Sequence, residues 1–248
     1  KYFGDDADLY HVETFEAAVR EVEEGRADYG VLPIENSSAG AVVDMYDLLS
    51  RYQTYIVGEI FLPVSHALLV GPDTRLEDIR TVYSHPQALM QCSSYLNSQG
   101  WKQVSCLNTA MAAKKVLEDG DRTQAAVASE IAGRLYGLRA LKTSIQNSQG
   151  NTTRFLILSK RAVYCEDAGR ISISFEIPHR SGSLYNILGN FVFNGVNMAL
   201  IESRPIPGRN WEYRFFVDVE GNLDQASVVN ALTGIGETAQ NLRILGNY

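Results

Sequence analysis

Ile171-Ser172-Ile173-Ser174-Phe175-Glu176-Ile177 is the stretch on which the reading of the C-terminal part turns. Apolar residues alternate strictly with polar ones, the period of two that places successive side chains on opposite faces of a strand. The stretch is predicted as a strand with one buried face. Downstream, Leu184, Ile187, Leu188 and Phe191 recur at helical spacing within Gly182–Gly195. Val196–Pro205 and Glu212–Gly221 read as two further strands, the second alternating Tyr213, Phe215, Val217 and Val219. A helix carrying Val228, Val229 and Leu232 follows, then a last strand over Leu242–Leu245. The resulting order is β-α-β-β-α-β, the ferredoxin-like arrangement, assigned to residues 170–248.

Upstream, Arg161–Gly169 contains Glu166, Asp167 and Gly169 and reads as a linker, so residues 1–160 form a separate part. There helix and strand patterns alternate, which indicates the α/β class. Thr14 is placed to cap a helix with Phe15, Ala18, Val19 and Val22 on one face, Gly25 stops it, and Asp28–Ile34 reads as a short buried strand. Thr109-Ala-Met-Ala-Ala-Lys-Lys-Val-Leu-Glu-Asp-Gly120 aligns without gaps on Thr14–Gly25, and a second apolar strand, Ala125–Ala128, follows it. The match reads either as two similar α/β lobes or as two amphipathic helices drawing on one small alphabet. Two lobes would place a ligand in the cleft between them.

Three loop-to-helix junctions draw notice for chemistry. At Asn36-Ser37-Ser38 polar residues precede an apolar helix carrying Val42, Val43, Tyr46 and Leu49; at Ser84-His85-Pro86-Gln87 proline suits the first helical position; at Ala128-Ser129-Glu130 a helix directly follows a strand. Each offers backbone amides and a positive dipole end to an anion, although most such junctions are simply capped helices. Gln146-Asn-Ser-Gln-Gly150-Asn-Thr-Thr-Arg-Phe155-Leu-Ile-Leu is a polar, glycine-containing loop running into a strand, suited either to gripping a ligand by hydrogen bonds or merely to crossing the surface.

A net charge of −7 and a pI near 5.2 argue against a phosphate-backbone or anionic-membrane partner, which needs a basic face. Cys92, Cys106 and Cys165 form no C-x-x-C pair, and His11, His66, His85 and His179 are scattered, so no metal site, disulfide framework or haem is expected. Apolar runs such as Ala67–Gly71 are too short to span a bilayer. The chain begins Lys-Tyr-Phe-Gly without a methionine or a leader; a truncated or processed start and a cytoplasmic location are the expectation.

Ala27-Asp-Tyr-Gly-Val-Leu-Pro-Ile-Glu-Asn-Ser-Ser-Ala-Gly40, Tyr83-Ser-His-Pro-Gln-Ala88 and Asn151-Thr-Thr-Arg-Phe155 resemble, in order, the signature segments of the prephenate dehydratases. The tail with Gly182-Ser-Leu-Tyr185 and Glu202-Ser-Arg-Pro205 resembles the phenylalanine-binding ACT domain attached to them. The likeness covers nearly the whole chain. It implies a two-lobed catalytic part of periplasmic-binding-protein type followed by a βαββαβ ACT domain. The implied reaction converts prephenate to phenylpyruvate, carbon dioxide and water without a redox or metal cofactor.

By that resemblance Thr153 is the essential threonine, hydrogen-bonding the departing hydroxyl, since a threonine is too weak an acid to stock protons at neutral pH. Thr152, Asn36, Ser37 and Ser38, with the amides of the following helix start, would hold the substrate carboxylates, and His85, Gln87, Arg154 and Phe155 join the substrate-binding set. For Arg154 the alternative is a strand-edge arginine pairing an acidic neighbour between the lobes rather than touching substrate. Gly182, Ser183, Leu184 and Tyr185, with Asn197 and with Glu202, Ser203, Arg204 and Pro205, would bind L-phenylalanine near a shared subunit interface in a homodimer or homotetramer. Ser181-Gly182-Ser183 departs from the family's Pro-Gly-Ala and Ala199 from its threonine, which bears on effector affinity. The family's Gly-rich strand–turn–helix, and in some relatives a chorismate mutase domain, are expected to lie upstream. Two other readings are an arogenate dehydratase and a non-catalytic amino-acid sensor.

Overall fold

The computed structural model describes residues 2–4, 6–163 and 165–248. Lys1 and Asp5 of the first expected domain and Tyr164 of the expected linker lie outside the described residues. The chain forms two compact units, Lys1–Phe61 with Arg154–Tyr248, and Leu62–Thr153.

The second unit is one five-stranded sheet built from β4 (Ala67–Val70), β5 (Thr81–Ser84), β6 (Lys102–Ser105), β7 (Gln124–Ala128) and β8 (Arg139–Lys142), in the order β6-β5-β7-β4-β8. β5 runs parallel to β6 and β7, whereas β4 is antiparallel to β7 and β8. Both faces are covered. Leu68, Val70 and Val82 pack with Leu89 of α3 (Pro86–Gln91) and Leu96 of α4 (Ser93–Gln99). Ala67, Leu69 and Ala126 pack with Ala113 and Val116 of α5 (Thr109–Asp119). Burial on both faces explains why Ala67–Val70 and Ala125–Ala128 are unbroken apolar runs rather than alternating ones.

In the first unit, α1 (Phe15–Glu24) leads into β1 (Tyr29–Asn36), β2 (Gly40–Ala41), α2 (Val43–Arg51) and β3 (Tyr55–Pro63). The returning strand β9 (Thr152–Ser159) lies between β1 and β3 in a sheet of order β2-β1-β9-β3. α1 and α5 answer the internal match. Each ends on a left-handed glycine, Gly25 at φ 76° and Gly120 at φ 60°, and each is followed by a strand. The caps differ: Thr14 accepts from the Ala17 amide, but in α5 the capping oxygen is that of Asn108, one residue before the aligned threonine.

The C-terminal part is β10 (Arg170–Glu176), α7 (Ser183–Phe193), β11 (Met198–Pro205), β12 (Tyr213–Glu220), α8 (Ala226–Thr238) and β13 (Gln240–Asn247), the βαββαβ order read from the sequence. Its antiparallel sheet runs β11-β12-β10-β13. Ile171, Ile173 and Phe175 meet Ile187 and Phe191 of α7 and Val228 and Ile235 of α8.

The expectation of a single buried face on β10 is overturned. Ser172, Ser174 and Glu176 are buried as well. The polar face of this sheet is covered by the α/β lobe of the same unit, where Phe216 of β12 and Leu245 of β13 join the core made by Leu32, Ile34, Tyr46, Leu49 and Leu156. The Tyr46 and Phe216 rings lie 5.0 Å apart. β13 comes so close to β3 that a Cβ on Gly246 would collide with the carbonyl oxygen of Ile56. Alternation reports only that the two faces differ in polarity, and a polar face can be buried when its groups are paired.

Candidate functional site

The Asn36-Ser37-Ser38 segment is a hairpin turn, not the cap of a helix. β1 and β2 pair antiparallel with Asn36 opposite Gly40, and Gly40 takes φ 83° to close the turn. The Asn36 side-chain oxygen accepts from the amides of Ser38 and Ala39, an Asx turn that uses these donors locally. α2 starts only at Val43, with Val42 as a cap that offers no side-chain oxygen. The expected supply of helix-start amides beside Ser37 and Ser38 is therefore corrected: the tight turn and a second strand intervene.

At the second junction the expectation holds. Pro86 opens α3, and His85 Nδ1 accepts from the Gln87 amide at 3.2 Å. That bond places the hydrogen of the neutral ring on Nε2, leaving Nε2 as a donor. Ser129 likewise caps α6 (Glu130–Tyr136) by accepting from Ala132. The polar loop before β9 is tied down. The Asn151 carbonyl accepts from Val64, the Asn147 amide donates to the Gln91 carbonyl, and the Asn147 side chain binds Met90, Ser93 and Ser94. Asn36, Ser37, Ser38, Arg154 and Phe155 belong to the first unit, and His85, Gln87, Thr152 and Thr153 to the second.

Arg154, expected among the substrate-binding residues, has a different place. Its side chain is 6% exposed and inserts under the polar face of the C-terminal sheet. Nε donates to Glu59 of β3 at 2.6 Å, Nη1 pairs with Asp218 of β12 at 2.6 Å, and Nη2 donates to the Tyr248 hydroxyl at 2.9 Å. Arg170 at the start of β10 reaches Glu59 at 3.1 Å. Ser172 Oγ gives its one proton to Asp218 at 2.5 Å, so the 2.8 Å contact between Tyr248 and Ser172 must have Tyr248 as donor. The four groups close a ring, Arg154 to Tyr248 to Ser172 to Asp218 and back to Arg154. Burial works against the Arg154 charge, but Asp218, Tyr248 and Glu59 hold its pKa above the ordinary value. Burial, reinforced by Asp218, also raises Tyr248, which keeps its proton at neutral pH. The void beside Arg154 and Asp218 is about 10 Å³, no larger than one water. Arg154 is the buried partner of acidic neighbours, Glu59 in β3 and Asp218 in β12 of the same unit.

The expected effector residues separate into two groups. Gly182, Ser183, Leu184 and Tyr185 line a cavity of about 300 Å³ together with His179, Arg180, Trp211, Tyr213 and Phe215. Glu202, Ser203, Arg204 and Pro205 lie instead on β11, the edge strand, and Asn197 just before it uses its carbonyl to accept from Glu220. Arg204 points at the α/β lobe, where its guanidinium makes a two-pronged bond with Asp47 of α2 at 2.9 and 2.7 Å.

Comparison with known proteins bears on this arrangement at one point above all: the family model for prephenate dehydratase matches residues 1–163. The chain belongs to the prephenate dehydratase family. It is 39% identical over 231 residues to the bifunctional chorismate mutase/prephenate dehydratase of Escherichia coli (strain K12), covering 92% of this chain and 60% of that protein. The chain thus spans less than two thirds of that relative. It is 39% identical over 252 residues to arogenate dehydratase/prephenate dehydratase 1 of Arabidopsis thaliana, covering 95% of this chain and 64% of that protein. Among solved structures, the prephenate dehydratase of Arthrobacter aurescens in complex with L-Phe superposes with a TM-score of 0.88 at 30% identity, covering 96% of this chain and 80% of that one. A structure described as a novel type of quorum-quenching acylase superposes with a TM-score of 0.87 at 35% identity, covering 95% and 86%.

Within the prephenate dehydratase framework, the residues that sequence reasoning missed are those that anchor Arg154 and Arg204: Glu59, Asp47, Asp218, Ser172 and Tyr248. One signal was present. Asp218 is a lone charge inside the apolar run Phe215-Phe216-Val217-Asp218-Val219, and a buried strand keeps such a charge only if it is paired.

Proposed function

We propose that this chain carries out the decarboxylating dehydration of prephenate to phenylpyruvate, and that its βαββαβ part is an ACT domain through which L-phenylalanine inhibits the reaction. The observation that carries the reading is the Asn151-Thr-Thr-Arg-Phe155 segment at the head of β9, the strand that Arg154 locks in place, within a chain of this family. In the reaction the bond from ring carbon to carboxylate breaks, and its electron pair completes the aromatic ring. The bond to the ring hydroxyl breaks on the other side, and the departing hydroxide takes up a proton as water. Thr153 is assigned the hydrogen bond to that hydroxyl, which must be supplied as the bond breaks. Thr152, Asn36, Ser37, Ser38 and Gln87 are assigned to the substrate, with His85 presenting Nε2–H.

For the effector, the support is the cavity lined by Gly182–Tyr185. Its apolar wall of Leu184, Trp211 and Phe215 suits an aromatic side chain. A phenylalanine complex is described for the Arthrobacter aurescens relative. A homodimer or homotetramer follows from the same reading, because ACT domains pair, and a cytoplasmic location fits a soluble biosynthetic enzyme.

The test is phenylpyruvate formation from prephenate, with arogenate and an N-acyl amide run beside it, and with and without millimolar phenylalanine. Turnover of prephenate suppressed by phenylalanine, and lost by about 100-fold or more in Thr153→Ala, is the expected result. Faster turnover of arogenate replaces prephenate as the substrate. Cleavage of the amide with no dehydration, or full activity in Thr153→Ala, overturns the reading.

A further inference from the structure

We infer that Arg154 is a positioning residue for Thr153, held from the C-terminal domain by Asp218 and Tyr248, so that the catalytic strand takes its placement from the effector domain. The inference rests on the reading of Thr153 given above.

Arg154 is the residue after Thr153, and on a strand successive side chains point to opposite faces. Fixing the Arg154 side chain therefore fixes the peptide plane and direction of the residue before it. Arg154 is fixed unusually well, since all three of its nitrogens that face protein have a partner. Two of those partners, Asp218 and Tyr248, come from the C-terminal domain, and only Glu59 comes from the sheet that β9 itself belongs to. Asp218 lies near the C-terminal end of β12, opposite Ser172 of β10. Tyr248 is pinned through its backbone, which exchanges hydrogen bonds with Arg170 in both directions at 2.9 Å. The holder is thus the central part of the sheet that also carries the effector cavity: β12 supplies Asp218 at one end and Tyr213 and Phe215, which line the cavity, at the other.

A guanidinium suits this task better than an ammonium, because its donors are spread over three nitrogens in one rigid plane, whereas an ammonium is a compact point charge that cannot span acceptors set so far apart. A displacement of the reacting group of about 1 Å costs on the order of 100-fold in rate, so a small tilt of β9 is enough to matter. A second tie between the same lobe and domain, Arg204 to Asp47, gives an internal comparison: it joins them at a half-exposed place and touches β9 nowhere that Arg154 does.

The experiment compares the wild-type chain with Asp218→Asn, Tyr248→Phe and Asp47→Asn, by steady-state kinetics on prephenate and by hydrogen exchange of the amides in residues 152–156. Asp218→Asn is expected to lower kcat about tenfold or more with KM within about twofold, Tyr248→Phe to lower it less in the same sense, and both to speed exchange of those amides about tenfold. Asp47→Asn is expected to leave both readouts at the wild-type level. Tyr248→Phe leaves every charge in place, which keeps a readable variant in hand should Asp218→Asn fold poorly. Equal losses in all three variants mean that loosening the domain contact anywhere is enough, and the positioning role is overturned. Unchanged exchange in both Asp218→Asn and Tyr248→Phe overturns it too. If wild-type protein does not turn over prephenate, the dehydratase reading falls by itself, and the exchange comparison still decides whether Arg154 holds the strand.

Discussion

Replacing Arg154 by methionine removes one cation from a buried set of two cations and two anions, leaving Glu59 and Asp218 against Arg170 alone. Methionine fills most of the volume of the arginine stem, so the cost is electrostatic rather than a cavity. Breaking a buried pair by removing one partner costs about 3–5 kcal/mol. Arg170 lies 3.1 Å from Glu59 and 4.0 Å from Asp218, and at 23% exposure it is reached by water, which places the expected cost at the low end, about 3 kcal/mol. For a chain of this size each kcal/mol moves the thermal midpoint by about 2–4 °C, which gives a fall of about 6–12 °C. Asp47→Ala provides the scale. Its pair with Arg204 leaves Asp47 41% exposed, and such pairs contribute about 0.2–1 kcal/mol, or at most ~4 °C. Thermal denaturation of both variants at neutral pH, read by circular dichroism and by calorimetry, separates the two cases. A fall for Arg154→Met no larger than that for Asp47→Ala would refute the placement of Arg154 as a buried, three-partner cation.

Two other perturbations probe the same contact surface. Gly246→Ala forces β13 away from the Ile56 carbonyl and is expected to cost about 1–3 kcal/mol, with the thermal midpoint as the check; a midpoint equal to wild type would show that β13 is free to move outward. Burial acts to raise the pKa of Glu176, but hydrogen bonds from Arg214 at 2.5 Å and Asn241 at 2.9 Å, with Arg209, bring it below the ordinary glutamate value. A carboxyl depressed by folding stabilises above its unfolded pKa of about 4.3, and that contribution is lost as pH falls through the folded value. The difference in midpoint between wild type and Glu176→Gln should therefore be widest near neutral pH and shrink below about pH 4. A constant difference across that range would show that Glu176 is not charged in the folded state.

How far reading the sequence reached depended on the range of the interaction. Strand periodicity, helical spacing and caps are local, and they led to the βαββαβ order, to the paired helices ending at Gly25 and Gly120, and to Pro86 as the first helical position with His85 or Ser84 as its cap, of which the structure uses His85. The motif order carried the family and the Thr153 assignment. Local rules misjudged Asn36-Ser37-Ser38, because capping residues and turn residues are the same residue types, and the difference lay in the pairing of Asn36 with Gly40.

What only tertiary structure decided is where the polar groups of β10 and the arginines of the two motifs point. Alternation along Ile171–Ile177 marks two chemically different faces but cannot say what covers the second, since burial of serine and glutamate requires partners from distant parts of the chain. Those partners, Arg154 for Asp218 and Arg214 with Asn241 for Glu176, are supplied by packing. By itself the sequence determined the βαββαβ order of the C-terminal part and pointed to the family. The fold determined that an arginine beside the predicted catalytic threonine is held by residues of the βαββαβ part, because a buried charge is placed by its counter-charges and not by its neighbours in the chain.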